Sequence, residues 1–332
     1  MNSDLVTLAR HSIALQKENP EASGDFTLLM ASIQLGCKFV ASNVRKAGLA
    51  NLTGLAGCKN ITGDDQKKLD LIADDVFVNS LKSSGKVSVL VSEEREEAII
   101  IEGEQSGNYA VVFDPLDGSS NIDCGVSIGT IFGIYRSDRP SYSNKDVLRP
   151  GREMVAAGYA LYGSSTQLVV SYGKGVHCYT LDPSLGEFIL TQENIVIPER
   201  ATIYSVNEGN SSLWDKQTCA FVLSRKSPLK GRKPYSLRYI GSMVADIHRT
   251  LLYGGVFLYP RDSKNPAGKL RLLYECFPMA FLIEAAGGRA TDGKDNILDI
   301  IPTSIHQRSP ICIGSRLDVS ELATLYMEMD QI

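Results

Sequence analysis

The sequence predicts a layered α/β protein, and three features of the chain support this fold class. Apolar residues recur at helical spacing over residues 4–16 and 27–47. Short apolar segments separated by turn residues follow in the middle of the chain. From about Ile203 onward, strand and helix patterns alternate. The middle part therefore predicts a mainly antiparallel sheet that is flanked by the early helices.

Each predicted element follows from its pattern. Pro20, Ser23 and Gly24 separate the first two helices, and a third helix is expected over about 66–82. Residues 48–66 are rich in Gly, Asn and Thr, which predicts a mobile functional loop. The strands expected next are Val87–Val91, Ala98–Glu102, Tyr109–Phe113, Ile128–Tyr135, Val155–Leu161, Gln167–Ser171, Val176–Leu181 and Glu187–Thr191. The last part predicts strands Ile203–Val206 and Val256–Tyr259, with helices near 243–253, 269–286 and 318–329.

Composition and charge exclude several classes of function. Of the 332 residues, 43% are hydrophobic and 22% charged, as in ordinary globular proteins. The 34 basic and 38 acidic residues give a net charge of −4, which does not favour a nucleic-acid partner. No apolar run approaches the roughly 18 residues of a membrane span, and no signal peptide is predicted. The seven cysteines are scattered along the sequence, and no two of them form a C-x-x-C pair. A cytoplasmic protein with reduced thiols is expected.

The most informative segment is Phe113–Asn121, with the sequence Phe-Asp-Pro-Leu-Asp-Gly-Ser-Ser-Asn. Asp114 lies where an apolar strand ends, and Pro115 and Gly118 favour a turn. Such a turn lets Asp114 and Asp117 converge on one point. Carboxylate oxygens are the ligands that Mg²⁺ prefers, and the amides that follow suit a phosphate. By itself the motif is also compatible with ordinary turn chemistry.

Other acidic residues strengthen the interpretation as a metal site. Glu93 and Glu94 directly follow an apolar strand, as Asp114 does. Glu275 lies inside the apolar run 272–282, where burial of a carboxylate is costly unless it is paired or bound to metal. Asp64 and Asp70 flank the start of the third predicted helix, where a solvated charged face is the simpler interpretation.

Six blocks in order resemble the fructose-1,6-bisphosphatase family, which belongs to the Mg²⁺-dependent, lithium-sensitive phosphatases. The resemblance covers about Phe26 to Ser315. The blocks are Leu90–Glu94, Phe113–Asp123, Ala156–Ser164, Ser205–Gly209, Arg238–Met243 and Gly268–Glu275. It implies a five-layer αβαβα fold. It also implies an N-terminal allosteric domain over 1–197 and a sugar-phosphate-binding domain over 198–332.

The resemblance implies a metal site and a reaction. Its ligands would be Glu93, Asp114, Asp117, Glu275 and the Leu116 carbonyl, with Mg²⁺ as cofactor and Mn²⁺ or Zn²⁺ as substitutes. The catalytic residues would be Asp64, Asp70 and Glu94, the last two of which are suited to accept a proton from the attacking water. The reaction implied is hydrolysis of the 1-phosphate of fructose 1,6-bisphosphate, a gluconeogenic step.

The resemblance also implies how the rest of the substrate is held. The implied substrate-binding residues are Gly118, Ser119, Ser120, Asn207, Arg238, Tyr239, Met243, Tyr259 and Lys269. Arg238 would serve the site of a neighbouring subunit, which implies a homo-oligomer, expected to be a tetramer. Asn210 departs from the tyrosine that animal members often carry, so one aromatic hydroxyl donor to the distal phosphate is absent.

An AMP site is the last property that the resemblance implies. Its residues would be Ser23, Gly24, Asp25, Thr27, Tyr109 and Arg136. Asn108 stands where animal members have a lysine, so weaker inhibition by AMP is expected. Without the resemblance, Ser23–Thr27 would be interpreted as a helix cap.

Two alternatives and one expected absence complete the sequence predictions. A phosphatase of the same group could act on sedoheptulose bisphosphate or an inositol phosphate, although the socket for a second phosphate disfavours the latter. A catalytically idle, nucleotide-binding scaffold would be supported by loss of a metal-ligand carboxylate, and none is lost. The four histidines show no ligand spacing along the sequence, so no histidine metal site is expected.

Overall fold

The structure is a computed structural model. It describes residues 4–17, 23–46, 68–103, 106–137, 142–229 and 231–329, together with the backbone of 55–59 and 65–67. Its α-helices are α1 (Leu8–Lys17), α2 (Asp25–Val44), α3 (Lys68–Ser83), α4 (Lys216–Lys226), α5 (Met243–Tyr253), α6 (Phe277–Ala285) and α7 (Arg316–Met329).

The strands form one large sheet, one smaller sheet and two short pairs. The first ten are β1 (Leu55–Lys59), β2 (Asp65–Lys67), β3 (Val87–Ser92), β4 (Ile99–Ile100), β5 (Tyr109–Asp117), β6 (Ile128–Arg136), β7 (Met154–Tyr162), β8 (Thr166–Ser171), β9 (His177–Asp182) and β10 (Glu187–Gln192). The others are β11 (Ile203–Ser205), β12 (Ser236–Leu237), β13 (Val256–Tyr259), β14 (Leu270–Arg271), β15 (Arg289–Thr291), β16 (Arg308–Ser309) and β17 (Ile311–Gly314).

The large sheet has eight strands in the order β10-β9-β8-β7-β6-β5-β3-β4. Every neighbouring pair is antiparallel except β3 and β5, which are parallel. The smaller sheet has the order β12-β11-β13-β17-β15. The prediction of a mainly antiparallel sheet in the middle of the chain is therefore confirmed.

Alternation of side chains along the strands explains the five layers. On β5, Val111 and Phe113 pack with α1, α2 and α3 on one face of the large sheet. Ala110 and Val112 face the opposite way, into a core shared with α5, α6 and the smaller sheet. On the far face of the smaller sheet, α4 and α7 close a third core. The predicted αβαβα fold is confirmed.

The central core draws residues from both halves of the chain. The large sheet ends at Gln192 and the smaller sheet begins at Ile203, on either side of the predicted boundary at 197/198. The division into an allosteric and a sugar-phosphate-binding domain stays a prediction. No helix within the described residues is long and apolar enough to cross a membrane.

The structure corrects the sequence prediction in two places. The expected helix over 269–286 is instead strand β14, a wide π-helical turn over Leu272–Cys276 and helix α6. Pro278 has no N–H to donate, so it is accommodated in the first turn of α6. Helix α4 has no counterpart in the prediction. Only a few of its residues are buried, among them Phe221 and Val222, so its periodic signal is weak.

The segment 48–66, predicted as a mobile loop, is described only in part. Strand β1 lies within this segment and strand β2 lies at its end, and the two strands pair antiparallel with each other. The remaining residues of the segment, including Asp64, lie outside the described residues.

Candidate active site

Two parallel strand ends bring the first acidic residues together. Because β3 and β5 are parallel neighbours, their carboxyl ends lie at the same place on the sheet, with Ser92 beside Phe113. Glu93 follows Ser92, and its N–H donates to the Phe113 carbonyl at 3.2 Å. Asp114 follows Phe113. The two carboxylates therefore start from adjacent backbone positions.

The Asp-Pro-Leu-Asp turn is an irregularity at the end of β5. The register with β6 shifts between Asp114 and Asp117. The Leu116 N–H donates to Asp114 Oδ1 at 2.9 Å, and the Thr130 hydroxyl donates to the Pro115 carbonyl at 2.8 Å. These bonds hold the turn in the conformation that directs both aspartates to one side, since a regular strand would alternate its side chains.

Three buried carboxylates meet at this turn. One oxygen from each of Asp114, Asp117 and Glu275 lies within 4.8 Å of the others. The exposed fractions of the three residues are 1%, 8% and 2%. Glu275 comes from the π-helical turn before α6. Sequence reasoning identified all three. Asp114 and Asp117 share one turn, and Glu275 lies in an apolar run, where a carboxylate is costly to bury unless it is paired or bound to metal.

Burial and mutual repulsion dominate the electrostatics of this carboxylate cluster (Glu93, Asp114, Asp117 and Glu275). Burial and the nearby charge of Glu93 raise the pKa of Asp114 and of Asp117. Burial raises the pKa of Glu275 as well, against the attraction of Arg271. A bound cation would favour the charged forms and reverse these shifts.

Arg271 supplies positive charge to the cluster, and sequence reasoning missed it. Its guanidinium forms an ion pair with Glu93 and lies 3.9 Å from the Glu275 carboxylate. Its backbone N–H donates to Glu275. The arginine is only 6% exposed. Its sequence position gave no signal, because an arginine at the start of an apolar run is ordinarily exposed.

The donor set fits a hard divalent cation. All the converging groups are carboxylate oxygens, and no histidine or cysteine accompanies them in this group. Hard cations such as Mg²⁺ take oxygen ligands, whereas softer transition metals prefer sites with nitrogen or sulfur. Four buried acids facing one cationic arginine also leave excess negative charge that a divalent ion would neutralise.

Two of the three predicted catalytic acids, Asp70 and Glu94, lie beside the cluster. Asp70, on α3, is 2% exposed and accepts a hydrogen bond from the Ser119 hydroxyl at 3.1 Å. Glu94 is half-buried, and its N–H donates to the Ser92 hydroxyl at 3.2 Å. Ser119 begins the 3₁₀-helix Ser119–Cys124, with Gly118 before it at φ +76°. That positive φ explains why a glycine occupies this position.

A cleft with polar walls lies in the C-terminal half of the chain. It is partly open to solvent, and its lining includes Asn207, Asn210, Tyr239 and Tyr259. Burial raises the pKa of Tyr259 to about 12, with contributions from the charges of Tyr239, Glu275 and Asp117. The segment after Asp117 also contacts the loop after Tyr239, because the Asn121 side-chain amide donates to the Gly241 carbonyl at 3.1 Å, so the cleft and the cluster are neighbours.

Asp246 is a second residue that sequence reasoning missed. It is fully buried on α5 and accepts hydrogen bonds from the N–H groups of Ile240 and Gly241 at 3.0–3.1 Å. It also accepts from the Ser205 hydroxyl at 2.7 Å and from Arg249 at 2.8 Å. Asp246 thereby fixes the loop that follows Arg238 and Tyr239. Its signal in the sequence is an acid on an apolar helix face.

The other predicted substrate residues surround these features with different exposure. Met243 is buried at the start of α5, whose Val244 N–H donates to Asp117 at 3.4 Å. Lys269 and Ser120 are exposed. Arg238 is also exposed, and its guanidinium donates to the Leu237 carbonyl at 3.0 Å. Arg238, Ser120 and Lys269 are not part of the cleft lining.

The predicted AMP residues come together at the other end of β5. Tyr109 pairs with Arg136 across β5 and β6, and its ring lies 5.9 Å from that of Phe26 on α2. Gly24 precedes α2 at φ +85°. The Thr27 hydroxyl donates to Gln16 at 2.9 Å.

Asp25 has two partners at the start of α2. It forms a 2.6 Å ion pair with Lys86 and accepts a 2.8 Å hydrogen bond from the Ser23 hydroxyl. These two contacts lower the pKa of Asp25.

Comparison with known proteins identifies the family. Residues 6–193 match the sequence model of the fructose-1,6-bisphosphatase N-terminal domain, and residues 197–327 match that of the C-terminal domain. The cytosolic fructose-1,6-bisphosphatase of Brassica napus is 62% identical, over 99% of this chain and 97% of its own length. That of Arabidopsis thaliana is 61% identical, over 99% and 97%. These names agree with the predicted cytoplasmic localisation.

The fold also matches that of a solved structure. The fructose-1,6-bisphosphatase of Leishmania major in holo form superposes with a TM-score of 0.92 at 47% identity, covering 98% of this chain and 99% of that one. Together with the converging carboxylates and the adjacent polar cleft, these matches show that the chain belongs to the fructose-1,6-bisphosphatase family.

Proposed function

We propose that this chain hydrolyses the 1-phosphate of fructose 1,6-bisphosphate, releasing fructose 6-phosphate and inorganic phosphate in gluconeogenesis. The observation that carries the proposal is the buried cluster of Asp114, Asp117 and Glu275 beside a polar cleft. Full-length identity of about 60% to enzymes of this name supports the same activity.

Enzymes of this family are phosphatases that need a divalent metal, and we assign Mg²⁺ to this chain, with Mn²⁺ or Zn²⁺ as substitutes. Glu93, Asp114, Asp117, Glu275 and the Leu116 carbonyl would hold it. When bound, the metal supplies positive charge at the phosphoryl oxygens and lowers the pKa of a water. The chain's own residues then need only position the reactants and move one proton.

The protein's own groups complete the reaction at the 1-phosphate. Amide N–H groups of Gly118, Ser119 and Ser120 face the phosphoryl oxygens as hydrogen-bond donors. Glu94 and Asp70 accept the proton of the attacking water, and the Ser119 hydroxyl orients Asp70. The water oxygen forms a bond to phosphorus as the bond from phosphorus to O1 breaks. The proton taken from the water is returned, directly or through solvent, to O1 as the sugar leaves. The protein therefore contributes mainly positioning and electrostatic stabilisation.

The second phosphate is held in the cleft. Asn207, Tyr239 and Tyr259 donate hydrogen bonds to it, and Lys269 and the partner subunit's copy of the Arg238 side chain contribute charge. Met243 packs against the sugar. Asn210 lines the same cleft and offers an amide in place of the absent tyrosine hydroxyl. We further propose that the protein is a homotetramer and that AMP inhibits it weakly.

Release of phosphate from candidate substrates tests this function. Fructose 1,6-bisphosphate, sedoheptulose 1,7-bisphosphate and inositol 1-phosphate are each supplied at equal concentration, with Mg²⁺ or with a chelator. We expect Mg²⁺-dependent release that is fastest with fructose 1,6-bisphosphate. Faster release from either rival substrate would change the assigned substrate. No release from any of them would support the non-catalytic scaffold.

A further inference from the structure

A second group of potential metal ligands lies outside the active site. His11, His177 and Glu193 each offer one ligand atom, and these atoms lie within 4.8 Å of one another. His11 is on α1, His177 begins β9, and Glu193 follows β10. In the large sheet β9 is four strands from β5, which places this group about 20 Å from the carboxylate cluster. It is therefore separate from the site described above.

The fold, rather than the sequence spacing, creates this group. Helix α1 is attached to the sheet edge by a β-bridge between Thr7 and Ile189 and by the Leu190 N–H, which donates to the Val6 carbonyl at 2.8 Å. This attachment sets His11 against His177, with ring centroids 4.8 Å apart and the rings edge to face. The expectation of no histidine metal site considered spacing along the chain alone, and the tertiary contact revises it.

The burial and hydrogen bonding of these side chains resemble those of known metal ligands. His11 and His177 are 8% and 4% exposed, whereas Glu193 is exposed and leaves a route for an ion from solvent. His11 Nδ1 lies 2.6 Å from the Tyr179 hydroxyl, so Nδ1–H can donate to that oxygen and leave Nε2 as the ligand. Such a partner on the second ring nitrogen orients histidine ligands in metal sites.

The second histidine also has a nitrogen available. The Asn194 N–H approaches His177 Nδ1 at 3.5 Å, which is long for a hydrogen bond and easily replaced. Glu193 is the adjacent residue, and one of its carboxylate oxygens lies within 4.8 Å of a ring nitrogen of each histidine.

We propose that His11, His177 and Glu193 bind one divalent transition-metal ion, Zn²⁺ by preference, which fastens α1 to the edge of the large sheet. Two imidazoles and one carboxylate suit Zn²⁺ and do not suit Mg²⁺, which takes oxygen ligands. Water completes the coordination on the exposed side. The ligand atoms need to approach one another slightly, because zinc–ligand distances are about 2 Å.

Zinc binding by the assembled, full-length protein tests the proposal. The active site also accepts divalent ions, so every measurement is made in an Asp117→Asn background and with excess Mg²⁺. We expect this protein to bind one Zn²⁺ per chain by equilibrium dialysis. Adding His177→Asn should lower the affinity for Zn²⁺ roughly 100-fold or more. Substitution of residues that only contact the ligands already lowers metal affinity about 10- to 100-fold. Glu193→Gln should weaken it less.

A matched control keeps the result interpretable. His248 is likewise buried beside a tyrosine, with Tyr159 Oη 2.8 Å from its Nδ1, but among the described residues it belongs to no ligand group. His248→Asn should therefore leave zinc binding unchanged. Co²⁺ as a probe should give the visible absorption of a four-coordinate site, lost with His177→Asn. Equal stoichiometry and affinity with and without His177→Asn, in variants whose circular dichroism is unchanged, would overturn the proposal.

The zinc measurement does not depend on the proposed function. His11 and His177 have no part in the phosphatase machinery, so His177→Asn should retain Mg²⁺-dependent turnover in an otherwise wild-type chain. A heat-denaturation series extends the test. Zn²⁺ should raise the Tm of the Asp117→Asn protein and leave that of the His177→Asn double variant unchanged. An equal rise in both proteins would also contradict the proposed site.

Discussion

The guanidinium of Arg271 is ion-paired with the carboxylate of Glu93, and only 7% and 11% of the two side chains are exposed. The same guanidinium lies 3.9 Å from Glu275. Arg271 is thus the cationic partner of two acids that we assign as metal ligands. In the metal-free protein it offsets part of the repulsion within the carboxylate cluster.

We expect Arg271→Met to destabilise the metal-free protein by about 3–5 kcal/mol, because removal of one partner leaves a buried charge uncompensated. Bound Mg²⁺ should reduce the loss, since it neutralises the same carboxylates. Chemical denaturation with chelator and with Mg²⁺ measures both values. Arg316→Met is the control. Its ion pair with Glu199 is exposed, so its loss should cost less than about 1 kcal/mol. Similar losses for the two variants would refute the role given to Arg271.

Asp117→Asn should lower kcat by about 10²–10³-fold without unfolding the protein, because it removes a charged ligand from the site of transition-state stabilisation. Mg²⁺ affinity should fall at the same time. Asp75→Asn is the matched control, since Asp75 is an exposed acid paired only at the surface with Arg95. Turnover resembling wild type at saturating Mg²⁺ would argue against Asp117 as a ligand.

Glu94→Gln should separate proton transfer from metal binding. Loss of a general base costs about 10²–10⁴-fold in rate, whereas the KM for substrate and the affinity for Mg²⁺ should change little. The comparison of kcat and KM with Asp117→Asn checks this distinction. If Glu94→Gln weakened Mg²⁺ binding as strongly as Asp117→Asn does, Glu94 would be a ligand rather than a base.

Much of the site was predictable because its chemistry is concentrated in short segments. Asp114 and Asp117 belong to one turn, and Glu275 is conspicuous in an apolar run. Arg271 and Asp246 were missed for a different reason. Their roles depend on partners far away in the sequence, namely Glu93 for Arg271 and Ser205 for Asp246. Only the folded chain reveals such pairings.

Prediction of the fold from the sequence was limited in the same way, to features that depend on local patterns. Strand positions in the large sheet followed from local apolar patterns, and most boundaries agree within one or two residues. The π-helical turn over Leu272–Cys276 was not predicted, because its periodicity resembles that of the α-helix beside it. The contact between His11 and His177 required knowledge of how α1 attaches to the sheet edge.

Metal binding should release protons near neutral pH. Burial raises the pKa of Asp114, Asp117 and Glu275 in the folded, metal-free protein. The folded state therefore retains protons that the unfolded chain loses above about pH 4. Stability of the metal-free protein should accordingly fall as the pH rises from about 4 through the raised values. Mg²⁺ should reverse this loss.

Calorimetric titration of Mg²⁺ in buffers with different ionisation enthalpies counts the released protons. We expect net release at pH 6 that diminishes as the pH increases, because fewer carboxyl groups are then protonated. The Asp117→Asn variant should release fewer. A titration in which the heat is independent of the buffer at pH 6 would contradict the raised pKa values.

The proposal that Arg238 serves the active site of a neighbouring subunit leads to a separate prediction. Arg238 is exposed, so its guanidinium is available to a neighbouring chain. Subunits carrying Arg238→Ala and subunits carrying Asp117→Ala should each be nearly inactive. Mixed oligomers should regain part of the activity, because some sites then combine an intact cluster with an intact arginine. Native mass spectrometry verifies that the subunits exchange. Verified exchange with no recovered activity would exclude a shared site.

The proposed weak inhibition by AMP depends on the charges near the start of α2. A helix N-terminus attracts phosphate, but here the nearby cation Lys86 is already paired with Asp25. Asn108 is exposed, and its carbonyl accepts from the Ser137 N–H at 2.8 Å, directly after Arg136. A cation at position 108 would therefore stand next to Arg136, at the end of the strands that face α2.

We expect Asn108→Lys to strengthen inhibition by AMP about ten- to a hundred-fold, because one charge-assisted contact contributes roughly 1.5–3 kcal/mol. Inhibition curves on wild type and variant, at fixed substrate and Mg²⁺, measure the change. Ser184→Lys is the control, since it adds the same charge at an exposed turn of the large sheet. It should leave the curve unchanged, because surface charges more than about 10 Å apart are screened at physiological salt. Tight inhibition of wild type that Asn108→Lys does not alter would show that position 108 does not face the bound phosphate.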